Sequence, residues 1–189
     1  MLTIRDAIPS DAPFLAECIM AGIHFCDFDK PLTDDMSYIL ESLTECETQK
    51  DTLYSFSKTR VAEMDGKPTG ALLSYPGEYY KELREKTFRQ YWPGFFTEYP
   101  DSDLETDPGE YYLDSLAVHP DYRKLGIGRA LLEDGIKKGL ALGFKKVTLV
   151  ADAGYTHLIK IYESIGFVPA DHRHVFGTDF QRMIYTMPE

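Results

Sequence analysis

The chain has 189 residues and is acidic, with 20 Lys and Arg against 31 Asp and Glu and a formal net charge of −11. Its length is typical of a single domain, and 43% hydrophobic against 27% charged residues exclude a disordered chain. The negative charge argues against nucleic-acid binding and against a basic membrane-surface module, because both require cations for phosphate groups. We therefore expect neither nucleic acid nor membrane as a partner.

The cysteines are few and odd in number: Cys18, Cys26 and Cys46. None stands at a metal-ligand spacing with nearby histidines, so no metal is expected. The N-terminus carries charges too early for a signal peptide, and no uncharged apolar run approaches the ~18 residues of a membrane span. These features predict a reducing, cytoplasmic setting.

Apolar periodicity and turn residues predict the elements of the first half of the chain. They are a strand at 2–7, a helix with Ser10 as N-cap, a helix capped at Thr33, and strands at 53–64 and 69–75 around an Asp65-Gly66 turn. The dipeptide between two strand-like runs is a strong hairpin signal. An antiparallel start to the sheet is therefore expected.

The second half predicts a crossover unit. Its expected elements are a helix at 78–92, a loop at 93–110, a strand at 111–118, a helix at 127–142, a strand at 145–151, a helix at 156–165 closed by Gly166, and one or two strands in 167–187. A strand–helix–strand connection normally produces parallel pairing. The expected fold class is therefore α+β.

The segment from 75 to 112 is unusually aromatic, with eleven Tyr, Phe and Trp residues. Within it, residues 96–110 hold six acids and no Lys or Arg: Glu98, Asp101, Asp103, Glu105, Asp107 and Glu110. The acids suggest a basic substrate or, alternatively, a solvated loop. The aromatics suggest a lid over a substrate, the core of an extra helix, or the surface of a homodimer.

A glycine-rich turn lies between a predicted strand and a predicted helix: Arg123, Lys124, Leu125, Gly126, Ile127, Gly128 and Arg129. Backbone N–H groups at a helix start point outward and, with the helix dipole, favour an anion such as phosphate. A P-loop sequence is absent, and Leu131 stands where a dinucleotide fingerprint needs a third glycine or alanine. The alternative is a turn that only lets the helix pack on the sheet.

Residues 116–132 resemble the acetyl-CoA-binding motif of the GNAT acetyltransferase superfamily, a strand like Leu-Ala-Val-x-Pro followed by Arg/Gln-x-x-Gly-x-Gly/Ala. Arg123, Gly126 and Gly128 fill the second part, and residues 161–167 are similar to the family's Leu-Tyr-x-x-x-Gly-Phe signature. The resemblance implies one GNAT-type domain over 1–189, with an aromatic-rich elaboration at about 75–110. Its fold would be a central mixed, mostly antiparallel sheet of six or seven strands, with helices on both faces and a splayed parallel strand pair.

The resemblance also implies an N-acetyltransferase that transfers an acetyl group from acetyl-CoA to a primary amine of a small molecule or protein. The cofactor-binding residues would be Leu116, Ala117 and Val118 in the strand and Arg123, Lys124, Leu125, Gly126, Ile127, Gly128 and Arg129 in the turn. A non-catalytic acyl-CoA-binding module on the same fold is the alternative. A nucleotide-dependent oxidoreductase fits less well, because the third glycine is missing.

Direct attack by an amine needs an acid for the leaving thiolate and a base for the incoming ammonium. The resemblance assigns the acid role to Tyr162, which is otherwise a core aromatic. Asp114 is the first candidate base and Glu110 the second, since strand alternation places both on the face of Leu116. A buried, backbone-bound Asp114 or a water relay are the alternatives, and His119 is expected to be an exposed loop residue.

One part of the second signature departs from the family's pattern. Members often carry Asn-x-x-Ala before the tyrosine, where this chain has Tyr155 and Leu158. The hydrogen bond of that asparagine to the cofactor arm must be absent or come from another group, with Asp152 and Thr156 as candidates.

Overall fold

The computed structural model describes residues 1–28, 30–94, 98–99 and 102–187. Within these ranges seven strands and five α-helices follow one another as β1 Leu2–Asp6, α1 Ala12–Gly22, α2 Asp34–Thr48, β2 Thr59–Met64, β3 Lys67–Pro76, α3 Tyr80–Tyr91, β4 Glu110–Val118, α4 Ile127–Ala141, β5 Lys146–Asp152, α5 Thr156–Ile165, β6 Val168–Val175 and β7 Thr178–Thr186. The strands form one sheet in the order β1-β2-β3-β4-β5-β7-β6. No helix in the described ranges is long and apolar enough to cross a membrane.

The sheet is mixed and mostly antiparallel. β1–β2, β2–β3, β5–β7 and β6–β7 are antiparallel, whereas β4 and β5 are parallel. The parallel register runs from Glu110↔Lys146 to Tyr112↔Thr148, although β4 continues to Val118 and β5 to Asp152. The predicted α+β class and the predicted parallel pair are therefore confirmed, and the paired stretch is short compared with the strands.

The chain forms two compact units, the first comprising residues 1–74 and 115–135. In this unit the predicted hairpin is confirmed, because Asp65 and Gly66 both have positive φ, at 51° and 78°, as two-residue hairpin turns require. The strand predicted at 53–64 begins only at Thr59. Ser55 donates to the Gln49 carbonyl and caps a 3-10 turn over Phe56–Lys58, so side-chain bonds to the backbone replace the strand there.

Ser10 does not cap α1, contrary to the prediction. A 3-10 turn at Pro9–Asp11 precedes the helix, and the Asp11 carboxylate accepts the Ile8 N–H at 2.8 Å and two Arg5 donors at 2.7 and 2.9 Å. Burial raises the pKa of Asp11, but these hydrogen bonds outweigh it and leave the pKa below its ordinary value. The Thr33 cap of α2 is confirmed by its bond from the Met36 N–H at 3.3 Å.

The second unit comprises residues 75–114 and 136–189. Six aromatic residues of the 75–112 segment are buried, namely Tyr75, Tyr80, Phe88, Tyr91, Tyr111 and Tyr112. Phe88 also stacks on Phe176, which has φ 49° in the β6–β7 turn. These aromatics therefore belong to the core of the second unit. Of the three alternatives, this arrangement agrees with the core of an extra helix. Phe95 and Phe96 lie outside the described residues.

The acidic segment before β4 is bound to its own unit. Asp103 accepts the His174 N–H at 2.8 Å and Asp107 accepts Arg173 at 2.7 Å, while Glu105 and Glu110 accept side-chain donors described below. Asp101 lies outside the described residues. These four acids accept hydrogen bonds within their unit, and they differ in exposure, since Glu110 is buried and Asp103 is exposed. A basic substrate for the segment stays a prediction.

Candidate functional site

The turn between β4 and α4 lies in the first unit and has a left-handed backbone. β4 ends at Val118, and a 3-10 turn over Pro120–Tyr122 follows. Lys124 and Gly126 then adopt φ values of 65° and 80°. Only glycine takes such a conformation without strain, and a Cβ built on Gly126 would meet nothing within 4 Å. The glycine at 126 therefore serves the backbone turn and not internal packing.

The start of α4 follows directly on the glycine turn. The Ala130 N–H bonds the Gly126 carbonyl at 3.0 Å, and the first N–H groups of a helix are the ones that can point at a ligand. A Cβ on Gly128 would make ordinary contacts with Val118 and Leu116, at 3.7 and 3.9 Å. The turn thus lies beside the end of β4, and its donors and dipole suit a phosphate group. The residues present therefore fit the pyrophosphate of a coenzyme A thioester.

The cations of the turn are partly engaged within the unit. Arg123 donates through Nε to the Val118 carbonyl at 3.0 Å and through Nη2 to Asp27 at 2.6 Å. The hydrogen bond from Arg123 lowers the pKa of Asp27 below its ordinary value. Arg129 lies 3.7 Å from Glu133. Backbone N–H groups are therefore stronger candidates for phosphate binding than the Arg123 guanidinium.

Replacing Gly126 with Ala is expected to weaken CoA binding about tenfold or more, because the turn donors lose their alignment when φ +80° is disfavoured. Gly66→Ala is the matched control, since Gly66 has φ +78° and an equally empty surrounding. Calorimetric titration with CoA measures both variants, and melting curves compare their stability. Equal CoA affinity in the two variants would refute the phosphate-binding turn.

His119 follows β4 and is half-buried, not exposed as predicted. Its backbone N–H bonds the Thr69 carbonyl at 2.9 Å. Its ring lies 5.1 Å from that of Phe28 and 6.0 Å from that of Tyr122. These aromatic contacts account for the burial and give His119 a packing role at the end of the strand.

Along β4 the burial alternates only from Leu113 onward. Leu113, Ser115 and Ala117 are buried, whereas Asp114, Leu116 and Val118 are half-buried. Strand alternation thus places Asp114 on the more accessible face with Leu116 and Val118, whereas Ala117, the third strand residue expected to bind the cofactor arm, lies on the buried face. In the second unit, the Tyr75 hydroxyl donates to Asp114 Oδ2.

Glu110, the second candidate base, contacts different partners. It is 3% exposed, and its Oε1 accepts Arg182. Its Oε2 accepts the hydroxyls of Thr106 and Thr148 and the Asp107 N–H, each at 3.2 Å. A carboxylate whose two oxygens are both bound in this way is suited to a structural role. These contacts therefore make Asp114 the stronger candidate for the base.

Tyr162 lies in the last turn of α5, in the second unit. The helix ends at Ile165, and Gly166 with φ 112° is its left-handed C-cap, as predicted. The Tyr162 side chain is half-buried and its ring meets Phe167 edge-on, with centroids 6.1 Å apart. Burial raises the pKa of its hydroxyl, so Tyr162 carries a proton at neutral pH, as a general acid must.

The asparagine that family members often carry before the tyrosine is Tyr155 here, and Asp152 and Thr156 are the candidates for its hydrogen bond to the cofactor arm. Tyr155 precedes the first residue of α5 and is 39% exposed. Asp152 accepts the Gly154 N–H at 2.7 Å, so it shapes the turn into α5. A cofactor contact by Asp152 or Thr156 stays a prediction.

Sequence reasoning missed Tyr75 as a hydrogen-bond partner of Asp114, together with Tyr80, whose ring stacks on Tyr75, and Glu105, which accepts from Tyr80. Tyr75, Tyr80 and Glu105 stood out only as members of an aromatic and acidic segment. No local spacing relates them to β4, because Tyr75 and Asp114 are 39 residues apart. Their convergence depends on tertiary packing.

A model of the acetyltransferase (GNAT) family matches residues 22–167, which include β4, the glycine turn and α5. The chain belongs to this family. The solved N-acetyltransferase from Staphylococcus aureus Mu50 has a similar fold, with a TM-score of 0.76 and 21% identity over 96% of this chain and 99% of that one. The GNAT resemblance is thereby confirmed at the level of family and fold.

Two curated relatives match shorter stretches. The [Ribosomal protein bS18]-alanine N-acetyltransferase of Escherichia coli (strain K12) is 41% identical over 64 residues, which are 34% of this chain and 43% of that protein. The mycothiol acetyltransferase of Geodermatophilus obscurus is 34% identical over 74 residues, 39% of this chain and 22% of that protein. The matches therefore span less than half of either relative.

Proposed function

We propose that this GNAT protein is an acetyl-CoA-dependent N-acetyltransferase acting on a primary amine of a small molecule or protein. The observation that carries the proposal is the turn at 123–129, where φ +80° at Gly126 leads directly into the start of α4, as the Ala130 to Gly126 hydrogen bond shows. Backbone N–H groups at a helix start bind phosphate groups. The family to which the chain belongs supplies the reaction class.

The cofactor would supply a thioester, and the chain's residues would hold it and move protons. We assign the pyrophosphate to the backbone of residues 124–129, and the pantetheine arm to the backbone of Leu116, Ala117 and Val118. The amine nitrogen bonds to the acetyl carbon and the carbon–sulfur bond breaks. A backbone N–H at the splayed strand would stabilise the oxyanion that forms between these events.

Two side chains would complete the proton balance. Asp114 would take one proton from the ammonium, whose pKa is about 10 if it is lysine-like, and Tyr162 would give one to the thiolate sulfur. The nitrogen would lose its second proton as the amide forms, and this proton would restore the Tyr162 hydroxyl, so that one proton in total is released from Asp114 to solvent. The half-buried position of Asp114 supports its role as the base. Because burial raises the pKa of the Tyr162 hydroxyl, this group is protonated at neutral pH and has a proton to give.

The acceptor class is tested with a panel of amines. Its members are polyamines, aminoglycosides, amino acids, and peptides with a free N-terminal alanine or a lysine. Peptides are included because one relative is named for acetylation of a ribosomal-protein alanine, and small molecules because another is named for mycothiol.

Acetyl-CoA consumption, read as free-thiol release, is measured for each amine, together with thermal shifts in CoA and in NAD. Transfer to any amine supports the proposal and names the acceptor class. A thermal shift with CoA but no transfer favours the non-catalytic binding module. No response to CoA would refute both.

A further inference from the structure

Three tyrosines in the second unit are buried with their rings in contact. Tyr75 is the penultimate residue of β3, Tyr80 begins α3 and Tyr112 lies in β4, and none is more than 1% exposed. The Tyr75 ring stacks on that of Tyr80 at 6.2 Å and meets that of Tyr112 edge-on at 5.8 Å. Three phenol hydroxyls are therefore brought into one place in the core.

All three hydroxyls donate to carboxylates. Tyr80 donates to Glu105 Oε1 at 2.6 Å and Tyr112 to Glu105 Oε2 at 2.5 Å, whereas Tyr75 donates to Asp114. A phenol has one proton to donate, and a buried hydroxyl without a partner is costly. Burial raises the pKa of each tyrosine well above its ordinary value, so all three stay protonated donors.

The charged and titratable groups facing Asp114 come from several elements. They are Tyr75 from β3, Tyr80 from α3 and Tyr112 from β4 itself, and the last two also bond Glu105, which precedes β4. Among these, Tyr75 is the one whose hydroxyl bonds Asp114 directly. An O–H donor stabilises the ionised form of a carboxylate and fixes the direction of its oxygens.

We propose that Tyr75 is a positioning residue for Asp114, holding this carboxylate ionised and oriented to take a proton from the acceptor's ammonium. The inference rests on the proposed function, in which Asp114 is the base. In the step, Asp114 gains the proton and the amine gains a lone pair, while Tyr75 keeps its own proton throughout.

Tyr75→Phe tests the proposal, with Tyr80→Phe as the matched control. Both tyrosines are 1% exposed, their rings stack, and each substitution removes one hydroxyl that donates to a carboxylate. Phenylalanine keeps the ring and its packing, so both variants are expected to fold, which melting curves check. Of these two hydroxyls, the one that donates to Asp114 is removed in Tyr75→Phe and kept in Tyr80→Phe.

Carbon-13 NMR of aspartate-labelled protein follows the titration of Asp114, which Asp114→Asn assigns. We expect its pKa to rise by about one unit in Tyr75→Phe and to change much less in Tyr80→Phe. With an amine from the panel, kcat should fall about tenfold or more in Tyr75→Phe with little change in KM, and the acid limb of kcat against pH should move upward. Tyr80→Phe should stay within about threefold of the wild type.

An unchanged Asp114 titration in Tyr75→Phe would overturn the proposal, as would equal losses of kcat in the two variants or full turnover in Asp114→Asn. Failure of the proposed function gives a different result. In that case the wild type transfers no acetyl group, while the NMR titration still decides whether Tyr75 positions Asp114.

Discussion

Tyr162→Phe is expected to lower kcat about 100-fold, while CoA affinity changes less than about threefold. A positioned general acid contributes 10²–10⁴-fold to a rate, and the substitution removes only the hydroxyl proton that the thiolate would receive. The ring and its edge-on contact with Phe167 remain, so α5 should keep its structure. Free-thiol release with an accepted amine measures kcat, and calorimetry measures CoA binding.

Tyr155→Phe is the control for this experiment, because the same hydroxyl is lost beside the same helix from a side chain that is 39% exposed. It should leave kcat within about twofold. Unchanged turnover in Tyr162→Phe would remove Tyr162 as the general acid. Equal losses in both variants would show that the substitutions act through the stability of α5.

The cofactor turn could be predicted from sequence because its requirements are local. A backbone at φ +80° favours glycine at 126, and the helix that begins after it directs its first N–H groups outward without help from a distant partner. The same is true of Gly166, whose φ of 112° ends α5, and of the Asp65-Gly66 hairpin. In each case the positive φ that the turn needs favours the residue type found there.

The carboxylates could not be assigned in the same way. Alternation placed Glu110 and Asp114 on one face of β4, but residues 110–113 are all buried, and accessibility alternates only after them. The paired part of a parallel strand is covered on both faces, so a period of two no longer separates inside from outside there. Arg182, the partner that occupies Glu110, is 72 residues away in sequence, and no local pattern indicates that contact.

Arg182→Met is expected to destabilise the protein by about 3–5 kcal/mol, the usual cost of leaving one member of a buried ion pair unpaired. Arg182 is 5% exposed and donates to Glu110 and to Asp171. Within the described ranges, its loss leaves the Glu110 carboxylate with two threonine hydroxyls and one N–H as donors. Urea unfolding followed by circular dichroism measures the change in the free energy of unfolding.

Two controls separate charge burial from loss of packing. Arg129→Met removes an exposed pair with Glu133 at 3.7 Å and should cost less than about 1 kcal/mol. Adding Glu110→Gln to Arg182→Met removes the unpaired charge and should recover at least about half of the lost stability. A double variant as unstable as Arg182→Met would mean that the stability is lost because the arginine stem no longer packs, and not because the Glu110 carboxylate is unpaired.

The stability lost in Arg182→Met should depend on pH, because Arg182 also donates to Asp171. Burial raises the pKa of Asp171, but hydrogen bonds from Arg182 and Arg173 lower it by more, so the folded-state pKa lies below its ordinary value. A depressed carboxylate pKa contributes stability above the unfolded-state value of about 3.9, and this contribution is lost as pH falls through the folded-state value. Arg182→Met removes one of the two donors, so its deficit relative to the wild type should be largest at neutral pH and shrink below about pH 4. Unfolding free energies compared at pH 7, 5 and 3 test this, and a constant deficit would show that Arg182 stabilises the fold by packing alone.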